Sequence, residues 1–458
     1  MDQGFHRYNN HNVRRDGGNL RYGGAPDRHG GDLRYGNAPT RYQKKPRGVT
    51  MRVPTFTALI VILLIVGLVV GLLLPSPFRF GGSKTDEPPE NSNGNQNVTP
   101  GENTDPDPDE EDPLTIAVRQ FVSSMTLREK ICQMLIVDPD TITGVSGTTI
   151  AGAVTKAAIE KYPVGGLVLF GPNIQNVTQI QAFTSVVQTY SSIPLFISVD
   201  EEGGRVARLK TAFGAHSISA MLSYQNGGEQ TAFNNAKTLA ETLVKYGFNV
   251  DFAPVADVWS NPNNTVIGDR AYSTDFDLAA RLVESAVKGF HEGGVACTLK
   301  HFPGHGDTRE DSHYGSAYVY KTLAELRANE FKPFISGIGA GVDMVMLGHL
   351  IVPDVDDLPA TLSKKIVTDI LRDELGFNGI IITDALAMVG ITAGYGPGDI
   401  AVMAVLAGVD ILLQPTDVDT TILALTMAVQ SGEIPASRID ESVARIIRLK
   451  VELGLMRL

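Results

Sequence analysis

From Leu114 to the C-terminus, short apolar runs alternate with longer stretches whose apolar positions recur every three or four residues. The short runs are β-compatible and bounded by polar or turn-forming residues. The longer stretches have the spacing of helices that bury one face. Eight strands are predicted, near residues 132–137, 166–170, 195–199, 250–254, 295–299, 342–347, 380–383 and 409–413. Helices are predicted between them at 176–190, 229–246, 278–292, 323–337 and 363–375, and the stretch 437–455 closes the series as a helix. Eight β/α repeats in about 345 residues predict an α/β fold, a single (β/α)8 TIM-like barrel, although a doubly wound open sheet uses the same alternation.

Upstream of residue 114 the pattern changes twice. Residues 56–74 are a 19-residue run without a charge, long enough as a helix to cross about 28 Å of hydrocarbon. The run exceeds the usual apolar core of a secretory signal, no small-x-small cleavage site follows it, and some 50 residues precede it, so it reads as an uncleaved signal anchor. Arg41, Lys44, Lys45, Arg47 and Arg52 lie just before the run and only Arg79 just after. The positive-inside rule therefore places the N-terminus in the cytoplasm and everything downstream outside, as a single-pass protein of the cell membrane with its globular domain extracellular. Four segments follow: a basic cytoplasmic arm at 1–52, the anchor at 53–75, an acidic Pro/Asn-rich linker at 76–113 and the barrel domain at 114–458.

Composition sharpens these boundaries. Residues 1–52 hold 11 Lys+Arg against 4 Asp, are rich in Gly, Asn, Arg and Tyr, and contain a near repeat, GGNLRYGGAP and GGDLRYGNAP, with little that could form a core. Residues 84–112 hold 10 acids against one lysine, and that self-repelling charge makes the stretch around them, residues 75–113, an extended tether whose upper limit at about 3.3–3.6 Å per residue is about 130–140 Å. Most of the overall charge of −12 falls on the globular part, so the basic patch is confined to the arm and nucleic acid is excluded as the principal partner. Cys132 and Cys297 both sit in apolar surroundings and are read as buried free thiols.

Candidate chemistry concentrates in residues 300–313, KHFPGHGDTREDSH, with three histidines, two aspartates and a lysine in fourteen positions. The apolar run before it places Lys300 and His301 where a buried strand ends and a loop begins. Asp311-Ser312-His313 can then set a carboxylate against an imidazole, raising its pKa and fixing its tautomer, which makes a proton-transfer device. Any one of these histidines read alone is a solvated loop residue; the cluster together is not. In a barrel, chemistry collects just past the C-terminal ends of the strands. Asp200, Asp257, Lys300 with His301, His349 and Asp384 all fall at such ends, after predicted strands three to seven.

The motifs KHFPGHG followed by DSH, with VDEEGGRVARL and IITDALAM, resemble family 3 glycoside hydrolases of the β-N-acetylglucosaminidase branch across the whole globular region. At matching positions the resemblance implies Asp384 as nucleophile, His313 as general acid/base with Asp311 as its partner, and Asp200, Arg208, Arg270, Lys300 and His301 as sugar-binding residues. It implies a retaining, exo-acting β-N-acetylhexosaminidase that takes terminal N-acetylglucosamine from peptidoglycan fragments or chitin-type oligosaccharides, with no cofactor and no metal. A retaining glycosidase needs a carboxylate to attack the anomeric carbon and a donor for the leaving oxygen, and an imidazole would take the place of the usual second carboxylic acid. Cations at Lys300, Arg208 and Arg270 would keep Asp384 ionised. Two departures bear on substrate preference: Glu201 stands where glutamine or histidine is expected, and Ala385 follows the nucleophile where an acid is frequent. Glu201 and Glu202 also form an acidic pair, for which the adjacent GGR turn favours capping or salt bridging. The alternatives are a phosphorylase or β-glucosidase-type enzyme of the same family, a metal-dependent barrel hydrolase ligated by His301, His305, His313 and Asp384, and a non-catalytic wall-binding module.

Overall fold

The computed structural model describes residues 111–213, 218–311 and 315–458. The basic arm, the apolar run at 56–74 and most of the acidic linker lie outside the described residues, as does His313. Among the described residues, no helix is long and apolar enough to cross a membrane.

Eight parallel strands form one sheet: β1 (Leu135–Val137), β2 (Gly166–Val168), β3 (Phe196–Val199), β4 (Val250–Asp251), β5 (Ala296–Phe302), β6 (Met344–Leu347), β7 (Ile380–Thr383) and β8 (Leu412–Leu413). Each strand pairs with the next in sequence, and β8 returns to β1 through Leu135↔Leu412 and Ile136↔Leu413. The remaining seam, β7 to β8, is a single bridge, Ile382↔Ile411, reinforced by the Leu413 N–H donating to Thr383 Oγ1 at 3.0 Å. A doubly wound sheet would reverse its strand order at a switch point, whereas this order runs monotonically until its ends meet. The result is a nearly closed barrel. Strands buried on both faces read as continuous Val/Ile/Leu runs, as IIIT in β7 and LIV in β1 do.

The helix Phe276–Gly293 illustrates how the outer layer forms. Asp275 caps it by accepting the Leu278 N–H at 2.7 Å, and it ends at Gly294 with φ 86°. Ala279, Leu282, Val283, Ala286, Val287 and Phe290 give it one buried face at helical spacing. At Gly289 a Cβ would stand 2.3 Å from the Phe233 carbonyl, so the neighbouring helix Gly228–Lys245 packs closely only because that position has no side chain.

All eight predicted strands are present, the one at 380–383 with the predicted bounds and the other seven with shifted ends. Cys132 and Gln133 finish the helix Leu127–Gln133, which starts from a capping box of Thr126 and Glu129, so β1 begins at Leu135. Lys300 and His301 lie within β5, which runs on to Phe302, and not at the start of a loop. The predicted helix at 323–337 is two, Leu323–Ala328 and Phe331–Gly339, broken where Asn329 leaves helical geometry at φ −130°, ψ −79°. The helix predicted at 363–375 is a π-helical stretch, Lys365–Glu374. A small sheet of Ala317–Tyr318, Leu350–Val352 and Asp356–Pro359 was not predicted; two- to four-residue strands carry too little periodicity to register. Cys132 and Cys297 are buried free thiols, as expected.

Candidate active site

Strands β3, β5 and β7 each bring charge to one rim of the barrel. Asp200 follows β3 directly, and the chain then turns back through a short hairpin, Glu201–Gly203 with Val206–Ala207, that delivers Glu202 and Arg208. Arg270 comes from a single turn, Gly268–Arg270, on the long connection after β4. Lys300 and His301 lie at the end of β5, and Asp384 follows Thr383 of β7. These seven side chains line one cavity of about 550 Å3, with Val168, Phe170, Met346 and Met388 among its apolar wall residues.

The charges within it are ordered. Lys300, only 2% exposed, places Nζ 2.8 Å from Asp200 Oδ1 and 2.6 Å from Glu202 Oε1. Arg270 clamps the same Glu202 carboxylate with two hydrogen bonds, Nε and Nη2 both at 2.8 Å. Arg208 Nη2 lies 3.8 Å from Asp200 Oδ2, and its buried Nε has no hydrogen-bond partner among the described residues. Burial opposes the charge of Lys300, but Asp200 and Glu202 outweigh it and raise the ammonium above its ordinary pKa. Burial likewise opposes the Glu202 carboxylate, and Arg270 and Lys300 outweigh it, holding the group well below the carboxylate range.

A second set of contacts fixes the histidines. The Asp257 carboxylate, fully buried after β4, accepts from the His301 backbone N–H at 3.1 Å and the His305 N–H at 2.6 Å, and its Oδ2 is 2.6 Å from His301 Nδ1. With Nδ1 committed to Asp257, the His301 atom left for the cavity is Nε2. His305 turns Nδ1 to Thr308 Oγ1 at 2.7 Å, and burial, then His301, push its pKa down to about 4. Gly306 lets this loop lie on the β4 connection, because a Cβ there would fall 1.7 Å from the Val258 carbonyl oxygen. His349, after β6, has Nδ1 at 2.8 Å from Thr361 Oγ1 and Nε2 at 3.0 Å from the Ala385 carbonyl.

Asp384 is thus half-buried in a cationic and imidazole-lined site. Burial pushes its pKa up, but His301, His349, the Ala385 N–H (2.7 Å from Oδ1) and Lys300 together hold it below the ordinary carboxylate range. The largest helpers are the two imidazoles, and neither Arg208 nor Arg270 stands among the leading causes, contrary to the expectation from sequence.

Six of the eight residues singled out from sequence, Asp200, Arg208, Arg270, Lys300, His301 and Asp384, meet in this cavity. Asp311 is described but is not among the cavity-lining residues, and His313 lies outside the described residues. Glu202 was read as a salt-bridging residue, correctly, but its partners are the distant Lys300 and Arg270 rather than a local turn, and it belongs to the cavity. Glu201 points elsewhere: it accepts the Leu209 N–H at 2.9 Å, and burial raises its pKa to about 7. The two glutamates therefore do not act as an acidic pair. Among the described residues, His301, His305 and Asp384 do not converge as metal ligands. Asp257 and His349, noted only as polar residues at strand ends, turn out to orient His301 and to bias Asp384; their place just past those strand ends was the signal in the sequence.

A family model described as the glycosyl hydrolase family 3 N terminal domain matches residues 126–449. Beta-hexosaminidase A of Pseudoalteromonas piscicida is 37% identical over 327 residues, which is 64% of this chain and 54% of that protein. A beta-hexosaminidase of Idiomarina loihiensis is 36% identical over 308 residues, 67% of this chain and 90% of that protein. Among solved structures, a glycoside hydrolase family 3 beta-N-acetylglucosaminidase from Paenibacillus sp. str. FPU-7 superimposes with a TM-score of 0.68 at 37% identity, covering 72% of this chain and 63% of that one. The chain thus spans about half the length of the Pseudoalteromonas relative and most of the Idiomarina one. With the barrel, the rim charges and a family match across nearly all of its described residues in agreement, the chain belongs to glycosyl hydrolase family 3.

Proposed function

We propose that the protein is a retaining, exo-acting β-N-acetylglucosaminidase of the hexosaminidase type, with Asp384 as nucleophile and His313, paired with Asp311, as general acid/base. The observation that carries this reading is the Asp384 carboxylate, held ionised by His301, His349 and Lys300 at the wall of a cavity of about 550 Å3. Such a volume lies within the range of about 300–1,000 Å3 common to small-molecule sites. In this reading Asp200 and Lys300 bind sugar hydroxyls, the orphaned Nε of Arg208 donates to the substrate, and His301 Nε2 completes the cradle on the Asp384 side. Asp384 attacks the anomeric carbon, the imidazole protonates the departing oxygen, and the same imidazole then takes a proton from the water that releases the sugar.

The substrates are terminal N-acetylglucosamine residues of peptidoglycan fragments or chitin-type oligosaccharides, a reading supported by the names of the relatives above. The run at 56–74, basic on one flank and acidic beyond the other, supports a single-pass anchor with the barrel on the outer face of the cell membrane. Protease added to intact cells should then release an active fragment, and protection of the barrel would refute the orientation.

The decisive experiment is turnover of a chromogenic aryl N-acetylglucosaminide, with product analysis in the presence and absence of phosphate and mass-spectrometric mapping of the residue labelled by a fluorinated sugar. Free N-acetylglucosamine and label on Asp384 support the proposal. Sugar 1-phosphate would reassign the enzyme as a phosphorylase, and label on another carboxylate would remove Asp384 as nucleophile.

A further inference from the structure

A second cluster of reactive side chains lies at the other end of the barrel strands. Cys297 is the second residue of β5, Asp343 immediately precedes β6, and His291 sits in the last turn of the helix Phe276–Gly293 that leads into β5. Lys300 and His301 occupy the opposite, C-terminal end of β5. Along β5, Lys300 points into the cavity, and the alternation of a strand directs Cys297 to the other face, toward the helix layer.

His291 Nε2 lies 2.9 Å from Asp343 Oδ2 and 3.9 Å from Cys297 Sγ, and one ligand atom from each of the three lies within 4.8 Å of the others. Asp343 is fixed in place because the Cys297 backbone N–H donates to its Oδ2 at 2.8 Å. The Cys297 side is closed, whereas the His291 side chain is 35% and the Asp343 side chain 15% exposed, so the cluster opens to solvent on one side only.

Imidazole nitrogen, thiolate sulfur and carboxylate oxygen are the donor types of zinc sites, at about 2.0, 2.3 and 2.0 Å from the metal. Tetrahedral geometry with those bond lengths puts N···O at about 3.3 Å and N···S at about 3.5 Å. The observed 2.9 and 3.9 Å differ from these by a few tenths of an ångström, within the reach of side-chain rotation alone. A thiolate with a carboxylate supplies two negative charges to a divalent cation, and the sulfur and imidazole disfavour magnesium and calcium. We propose that His291, Cys297 and Asp343 form a three-ligand site for a zinc-class divalent cation, with water from the open side as the fourth ligand. It is separate from the glycosidase chemistry and would act on the fold, tying the helix Phe276–Gly293 to the starts of β5 and β6.

Cobalt(II) added to the full chain tests this, because a cobalt–thiolate bond gives a near-ultraviolet charge-transfer band. One equivalent of cobalt should develop the band, zinc should displace it, Cys297→Ser should abolish it, and His291→Gln should weaken cobalt binding more than tenfold. Cys132→Ser, which removes the other thiol, should leave the band intact. Zinc should also raise the Tm of the unaltered chain but not that of Cys297→Ser. Absence of the band, its survival in Cys297→Ser, or its loss in Cys132→Ser would overturn the proposal and leave the three residues as a hydrogen-bonded tie. Circular dichroism and aryl-glycosidase turnover of Cys297→Ser establish that the variant is folded.

Discussion

Replacing Glu202 by glutamine keeps the shape of the side chain and removes one charge from the centre of a buried network. Glu202 receives Lys300 at 2.6 Å and Arg270 through two bonds at 2.8 Å, while its own side chain is 1% exposed. At an effective dielectric of about 20, each cation's attraction at roughly 2.7 Å is about 6 kcal/mol in gross terms, most of it offset by the desolvation of three charges. What remains when one partner of a buried pair is deleted is about 3–5 kcal/mol, because the survivors stay buried and uncompensated. Glu202→Gln leaves Lys300 and Arg270 with Asp200 as the remaining carboxylate of the network. The variant should therefore lose about 3–5 kcal/mol of unfolding free energy, read as a lower urea midpoint at unchanged m. Because the carboxyl is held below its ordinary pKa of 4.5, its stabilisation is fully present above about pH 4.5 and is lost as the pH falls below it. The difference between variant and parent should accordingly shrink on acidification. At a temperature where both are folded, kcat/KM should fall, since Lys300 loses one of the two carboxylates that aim it into the cavity. A variant within 0.5 kcal/mol of the parent, about the scatter of a surface substitution, would refute the buried-network argument.

Further predictions rest on single residues. His313→Ala should slow a natural disaccharide far more than a nitrophenyl glycoside when both are compared as kcat/KM, because only the poor leaving group needs protonation; equal losses would deny the imidazole a donor role. Glu201, with its pKa raised by burial from 4.5 to about 7, binds more protons folded than unfolded, so it makes stability decline as pH rises from about 4.5 to about 7. Glu201→Gln should flatten that decline in pH-dependent urea titrations, and an unchanged slope would count against the raised pKa. Gly306→Ala must displace the loop from the Val258 carbonyl, at a cost of about 1–3 kcal/mol, and should lower kcat/KM through His305 and His301; wild-type stability would contradict the packing.

The barrel was legible because its strands are buried on both faces and so read as uninterrupted apolar runs, whose number and order the closed sheet reproduces. Strand ends were less legible. Lys300 and His301 look like loop residues because nothing in a one-dimensional pattern distinguishes a polar side chain facing a cavity from one facing water. Their place inside β5 depends on partners 44 and 100 residues away, Asp257 for His301 and Asp200 for Lys300. The break at Asn329 and the three short strands after β5 and β6 are set by tertiary contacts, against which local propensity has little leverage.

The candidate site shows the same division between residue type and partner. A carboxylate, a lysine and a histidine at consecutive strand ends announce chemistry in any barrel, but which group tunes which is decided in three dimensions. Arginines are the obvious counter-charges for Asp384 in the sequence, yet Arg270 is committed to Glu202, and His301 with His349 holds Asp384 ionised instead. That arrangement separates two tasks that one arginine could not serve together. The fixed charges of Lys300, Glu202 and Arg270 shape the cavity, while the groups beside Asp384 are imidazoles. His301 is in turn anchored through Nδ1 by Asp257, a buried carboxylate that is not among the cavity-lining residues, so the electrostatics of Asp384 are set partly by a residue behind the cavity wall. Asp257→Asn should therefore raise the acidic limb of the kcat/KM profile toward higher pH by releasing His301 from its position near Asp384, while leaving Lys300 and its carboxylates in place. An acidic limb unmoved in Asp257→Asn would mean that His301 biases Asp384 without needing that anchor.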